Sequence, residues 1–274
     1  MINLYPLKEF RYPVVGECVC PDTFQAKTCG EIRDLRLWEG NRQKKIGDLF
    51  KVEEDKSDVN LGKTILKIHG NVSKVREIGA RMADGEIIVN GNAGMHLGVE
   101  MKGGKITVNG NVGGWAGSMM KAGSIEIHGN VGDYLGAPYR GSSKGMRGGR
   151  IVVYGDVGTE AGACMKKGVI KVFGKAGQFA GLRMKGGTIY VEGDCEGRAG
   201  ACMVDGKIII GGFVESFLPT FTIDSVKGKA KIEEDESVEG PFYVFLGDIV
   251  ENGKGKLYVS KQKNPHLSDY EKFL

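Results

Sequence analysis

Six cysteines and four histidines are the side chains best suited to thiol or metal chemistry. Cys18 and Cys20 stand two apart, with Cys29 following. Two cysteines at that spacing on a strand face the same way and could form a ligand pair. Metal and cluster sites use tighter sets, such as paired C-x₂-C, so buried or half-buried thiols are the plainer reading of Cys18, Cys20 and Cys29. His69, His96, His128 and His266 have no ligand spacing with one another or with acids, and read as lone surface histidines. No Ser-His-Asp set and no carboxylate pair can be placed together. Strings such as Gly91-Asn92-Ala93-Gly94 resemble phosphate loops, but they recur along the chain and precede no helix. The expectation is a chain with no catalytic, cofactor or metal residue of its own.

Two other sets stand out. His96, Trp115, Tyr134, Glu160, Phe179, Arg198 and Phe217 recur at a spacing of 19, with one step of 26. Aromatic residues and Arg lined up on one face suit a protein interface. Cover by the chain's own terminal segments is the equal alternative. The second set is a seven-residue insertion within Ala137–Gly145. Tyr139, Arg140 and Lys144, with Arg147 just beyond, make it aromatic and basic, which suits an acidic partner patch or an anionic ligand better than a solvated bulge. Trp115, Tyr134, Phe179, Arg198, Tyr139, Arg140, Lys144 and Arg147 are therefore the candidate partner interface.

The elements that must position these residues follow from a repeat. Met82, Met101 and Met120 are 19 apart, as are Met146, Met165, Met184 and Met203. The unit G-x-x-M-x-x-G-x-I-x-V-x-G occurs seven times. Ile-x-Val between glycines has the period of a strand, and the glycines suit corners. Each strand then stacks on the next at about 4.8 Å. The expectation is an all-β chain: a right-handed parallel β-helix of about seven 19-residue rungs. Met, Ile and Val become interior ladders, joined by columns 11 and 15 residues after each Met, from Ala93 to Val214 and from Leu97 to Leu218. Cys195 falls in an interior column. Cys164 and Cys202 share a column with Arg81 and Arg183 that is expected to face outward, roughly 10 Å apart by the strand spacing and too far for a disulfide. The column ten after Met holds Asn92, Asn111, Asn130, Asp156, Lys175, Asp194 and Phe213, and its Asn and Asp residues read as a corner ladder using left-handed backbone.

The chain divides into a capping segment 1–60, a repeat domain 61–218 and a C-terminal cap 219–274. Tyr5–Cys20 shows strand-like alternation broken by Pro6 and Pro13. Thr28 is placed to cap a short helix containing Ile32, Leu35 and Leu37. A short apolar element, Ile46–Val52, precedes the charged run Glu53–Asp58. Ile65, Leu66 and Ile68 look like a degenerate first rung. Phe221–Ile223, Ala230–Ile232, Phe242–Leu246 and Lys256–Val259 carry strand signals, the last two as a hairpin, and Ser268 could cap a terminal helix 269–274. A net charge of +4, from 38 basic and 34 acidic residues, does not argue for nucleic acid or membrane. The N-terminus has no continuous apolar run of a signal peptide, and no stretch reaches the roughly 18 residues of a spanning helix. A soluble, cytoplasmic protein is expected.

The rungs M-K-G-G-K-I-T-V-N-G-N-V-G at 101–113 and M-R-G-G-R-I-V-V-Y-G-D-V-G at 146–158, the inserted Y-R-G-S-S-K-G-M-R-G-G at 139–149, and W-E-G-N-R at 38–42 before G-D-L-F at 47–50 resemble the C subunit of formylmethanofuran dehydrogenase. The resemblance covers about residues 14–212. The rung motif is also similar to the β-helical domain of glutamate synthase; the insertion and N-terminal segment favour the former. The resemblance implies an archaeal oxidoreductase complex of the first step of methanogenesis, which reversibly reduces CO₂ and forms N-formylmethanofuran. It implies tungsten or molybdenum pterin, [4Fe-4S] clusters and a binuclear zinc amidohydrolase-like site in partner subunits. This chain would be their non-catalytic scaffold. The alternative is a β-helix subunit of a glutamate-synthase-type amidotransferase complex.

Overall fold

In the computed structural model, which describes residues 1–55 and 63–274, every Ile-x-Val segment of the repeat is a strand. The seven strands are Glu86–Asn90, Lys105–Val108, Ser124–Ile127, Arg147–Val153, Lys167–Val172, Lys185–Val191 and Asp205–Ile210. Each pairs in parallel with the next so that Ile87, Ile106, Ile125, Ile151, Ile170, Ile189 and Ile208 are in line. These side chains, the Val/Ile two residues on and the seven repeat Met are all buried. A one-residue slip would turn every apolar side chain of a strand to the other face, so burial holds the register. The insertion after Met120 does not disturb it, because Ile125 still pairs with Ile151.

Each unit also pairs with the next along two further stretches. A line of parallel bridges runs Val72, Ala93, Val112, Val131, Val157, Ala176, Cys195, Val214. A line of backbone bonds follows, in which the His96 N–H donates to the Gly114 carbonyl and Trp115 to Asp133, and so on to Arg198 and Ser216. Between strand and bridge stands the corner ladder. The N–H of Asn111 donates to Asn92 Oδ1 at 2.8 Å, Asn130 to Asn111 at 2.8 Å, Asp156 to Asn130 at 2.9 Å, and Lys175 to Asp156 at 2.7 Å. Lys175 has no acceptor oxygen and instead makes an ion pair with Asp194 at 2.9 Å. Asp194 Oδ1 then accepts from the N–H of Phe213. The expected left-handed backbone is absent from this column. Asn and Asp serve here because each side-chain oxygen satisfies an N–H of the following unit.

Within the repeat, positive φ of residues other than glycine falls elsewhere, at the second bend. There the unit makes two overlapping turns, with the Val99 N–H donating to the His96 carbonyl and Met101 to Gly98. Gly98 and Glu100 occupy the third positions, where type II turns require positive φ. The column of Arg81, Glu100, Met119, Cys164, Arg183 and Cys202 shares this conformation.

The flanking segments extend the same sheet, which has thirteen strands. Ile65–His69 pairs in parallel with Glu86–Asn90, as expected of a degenerate first rung. Ile2–Pro6 pairs in parallel beyond it, and Phe50–Glu54 antiparallel beyond that. The alternation of Tyr5–Cys20 breaks at its prolines as expected: Pro6 ends the first strand, and after Pro13 only Val14–Val15 forms another, in a separate four-stranded sheet. Thr28 caps the helix Cys29–Asp34 through a capping box with Glu31; Leu35 and Leu37 lie outside it, and Ile46–Leu49 is a second short helix. Lys56–Asp58 of the expected charged run, and the expected boundary at 60/61, lie outside the described residues. At the other end Thr222–Glu233 and Glu236–Gly247 form one long hairpin, so Phe221–Ile223 and Ala230–Ile232 do not make separate strands. Gly255–Ser260 pairs antiparallel with the hairpin and parallel with Asp205–Ile210. The last turn is a 3₁₀ helix, Pro265–Phe273, preceded by Asn264 rather than capped by Ser268. Buried Asn264 ends the corner ladder: it accepts from the Val214 N–H and donates to the carbonyls of Gly212 and Ser260. Among the described residues no helix is long and apolar enough to cross a membrane.

Candidate functional site

The column His96, Trp115, Tyr134, Glu160, Phe179 and Arg198 follows the bridge line, and every member has φ between 57° and 68°. The left-handed region costs a residue with a β-carbon roughly 1–2 kcal/mol. The side chains recover part of this by stacking. Trp115 and Tyr134 lie 4.3 Å apart at 20°, and His96 and Trp115 5.4 Å apart at 27°. The Arg198 guanidinium sits 5.3 Å above the Phe179 ring. Trp115, Tyr134 and Phe179 are half-buried, whereas Arg198 is exposed. Phe217 departs from the column: it packs against Phe245 at 4.4 Å and Tyr270 at 5.5 Å. The C-terminal segment thus covers the last position, and the rest forms a ridge of two stacks separated by Glu160.

The insertion splits the candidate residues. Tyr139 folds back over the ridge, 5.2 Å from His96. Burial, with Glu77 and Glu100 nearby, pushes its hydroxyl pKa up. Arg140 and Lys144 are exposed. A β-carbon on Gly145 would meet the backbone of Ala163 and Cys164. Cys164 is accordingly buried, correcting the outward expectation for its column, because the insertion runs over it. Arg147 belongs to the strand after the loop, half-exposed, with Nε buried and unpaired. The insertion therefore brings Tyr139 against His96, which stacks in turn on Trp115 and Tyr134, and leaves Arg140 and Lys144 exposed.

The thiols and histidines take other roles. Residues 17–20 form a turn, not a strand, so the same-face argument for Cys18 and Cys20 fails. The Cys18 thiol faces the Arg36 carbonyl at 3.4 Å and the Cys20 thiol faces Asp22 at 3.3 Å. Burial pushes them up to about 11 and about 12, respectively, and Cys195 to about 12. Among the described residues no three His, Cys, Asp or Glu converge to hold a metal ion. Every histidine lies against an aromatic ring: His69 on Tyr5, His96 on Trp115, His128 on Tyr154, His266 on Phe213. His128 and His266 are exposed at the surface as expected, but these ring contacts, stacked for three and tilted for His266, are not revealed by spacing and mean that none of the four stands alone.

A second ladder lies outside the expected interface. His128, Tyr154 and Phe173 stack at 4.8 and 5.2 Å on the outer face of the sheet, eight residues after each Met. The same 19-residue ruler locates it in the sequence. Beside it the acidic tip of the C-terminal hairpin meets two cations. Lys171, 2% exposed, pairs with Glu236 and lies 3.5 Å from Glu233, while Arg150 lies 2.8 Å from Glu233. This ion cluster pins the hairpin over Tyr190 and Ile209.

No family model matches the chain. Over 94 residues it is 42% identical to the C subunit of molybdenum-containing formylmethanofuran dehydrogenase 1 of Methanothermobacter marburgensis, a match covering 34% of this chain and 22% of that protein. It is 38% identical over 96 residues to the C subunit of tungsten-containing formylmethanofuran dehydrogenase 2 of Methanothermobacter wolfeii, covering 35% of each. The chain thus spans about a fifth to a third of the length of these curated relatives. Its fold matches a chain of the formyltransferase/hydrolase complex FhcABCD from Methylorubrum extorquens, solved with methylofuran, with a TM-score of 0.83 and 27% identity over 94% of this chain and 99% of the other.

Proposed function

We propose that the chain is a right-handed parallel β-helix acting as the C subunit, the non-catalytic scaffold, of a cytoplasmic formylmethanofuran dehydrogenase complex. That complex would reversibly reduce CO₂ and form N-formylmethanofuran. The reading is carried by the 42% identity to such a C subunit within a chain that superposes along nearly its whole length on a chain of a formyl-handling complex. The geometry supports it. In-register ladders make a stiff rod, and the ridge of Trp115, Tyr134, Phe179 and Arg198, with Arg140, Lys144 and Arg147 beside it, offers partners a face of rings and cations. A backbone that holds large side chains at positive φ is the kind of strain that accumulates at functional surfaces. The caps 1–60 and 219–274 close the rod's ends. The metal chemistry would belong to partner subunits: a tungsten or molybdenum pterin chain, iron–sulfur chains and a zinc amidohydrolase-like chain.

A second reading has its own observation. The full-length structural match is to a formyltransferase/hydrolase complex, so the rod could serve an assembly that moves a formyl group without reducing CO₂. Anaerobic recovery of the tagged chain from its native cells, with metal analysis, separates the two. Molybdenum or tungsten with iron and zinc in the recovered complex is the expected result. Recovery of a formyltransferase with zinc alone would favour the second reading. Glutamate synthase components, or stoichiometric metal on the isolated chain, would overturn both.

A further inference from the structure

The residues after the five successive repeat Met from Met101 to Met184 form a column that neither aromatic ladder includes, Lys102, Lys121, Arg147, Lys166 and Lys185, with Ala83 and Val204 at its two ends. Each donates its backbone N–H to the carbonyl of a repeat Met in the preceding unit, at 2.7 or 2.8 Å. The backbone therefore holds five cations in a line, about 4.8 Å apart by the strand spacing. Like charges at such separations repel. The chain itself does little to relieve this. Lys121 lies 3.6 Å from Glu100, but among the described residues Lys102, Lys166 and Lys185 have no ion-pair partner. Lys102, Lys166 and Lys185 are exposed.

We propose that this column is a docking ridge for an acidic α-helix of a partner polypeptide. The inference rests on the scaffold reading above and adds the chemistry of one contact. Spacing selects the helix. One helical turn rises about 5.4 Å, so carboxylates at i, i+3 or i+4, and i+7 face successive cations with a drift of only about 0.6 Å per unit. Carboxylates on alternate residues of a strand recur at about 6.6 Å and lose register within two units. Gly103, Ala122, Gly148 and Gly186, next along the chain, leave most of one flank low enough for a helix to approach, and exposed Lys167 adds a further cation to it. The exposed insertion residues Arg140 and Lys144 lie between Lys121 and Arg147 in sequence and add two further cations to that stretch. A nucleic-acid partner is disfavoured by the chain's small net charge of +4.

The test is zero-length carbodiimide cross-linking of the complex recovered with the full-length tagged chain, which joins lysines only to carboxylates in direct contact. Cross-links from at least two of Lys102, Lys166 and Lys185 to acids three or four residues apart in one partner polypeptide are expected. Cross-links confined to this chain, or to acids at alternate residues, would overturn the helix. So would loss of the bound material on nuclease treatment. In parallel, Lys166→Glu with Lys185→Glu should raise the loss of that partner about tenfold during washing at about 0.3 M salt, where weaker long-range attraction is screened. Retention equal to the parent would refute the ridge while leaving the scaffold reading intact. Recovery of no partner by the parent chain would refute both.

Discussion

Trp115 offers a test of the strained backbone that inverts a familiar rule. Its φ is 59°, and its ring stacks on His96 and Tyr134. Removing the ring should cost about 0.5–1.5 kcal/mol for each stack, hence about 1–3 kcal/mol for Trp115→Ala. Alanine keeps the β-carbon, so it also keeps the left-handed penalty of roughly 1–2 kcal/mol. Trp115→Gly removes that penalty but adds about 0.4–1 kcal/mol of unfolded-state entropy. The glycine variant should therefore be more stable than the alanine variant by about 0.5–1 kcal/mol, the reverse of the order in an ordinary strand. Urea midpoints measured with unchanged slope would read the difference. Both variants should also lose partner binding relative to the parent. An alanine variant equal to or more stable than the glycine variant would show that the ridge carries no backbone strain.

Other expectations follow from the same geometry. Ile125→Asp places a charge between Ile106 and Ile151 in the interior and should cost several kcal/mol; a melting point within a degree or two of the parent would mean the register is wrong. Glu233→Gln with Glu236→Gln leaves the Lys171 ammonium buried without a counter-charge. The cost should fall somewhat below the about 3–5 kcal/mol of a fully buried pair, because the carboxylates are partly exposed, and hydrogen exchange should rise across the hairpin 222–247. Adding Lys171→Met should restore protection; if exchange stays at parental level throughout, the ion cluster does not pin the hairpin. Burial, with Arg76 nearby, holds the His96 pKa below the ordinary 6.5, so the unfolded chain takes up that proton first. Stability should be full above pH 6.5 and decline as pH falls through the lower folded value. His96→Phe should flatten part of that decline, and an unchanged pH profile would remove His96 from the account.

The sequence alone determined the ladders. A 19-residue period states which residue stands above which, because stacked parallel strands repeat their side-chain positions, and the burial of Met, Ile and Val follows from alternation within each strand. Asn92 to Asp194 was legible as a corner column for the same reason, though not through the conformation expected of it. Tertiary structure decided what covers what. Phe217 packs under Phe245 and Tyr270, whereas Trp115 packs against its neighbours in the column, because the C-terminal segment, which has no repeat, returns over one end of the column. Cys164 is buried, and Tyr139 reaches His96, because an insertion with no counterpart in other units lies against neighbouring units. Positive φ at the ridge was hidden as well, since Trp, Tyr, Phe and Arg are residues for which local preference argues against it. A periodic signal fixes neighbours from strand to strand, whereas the exposure of each face depends on contacts between segments far apart in sequence, and these obey no period.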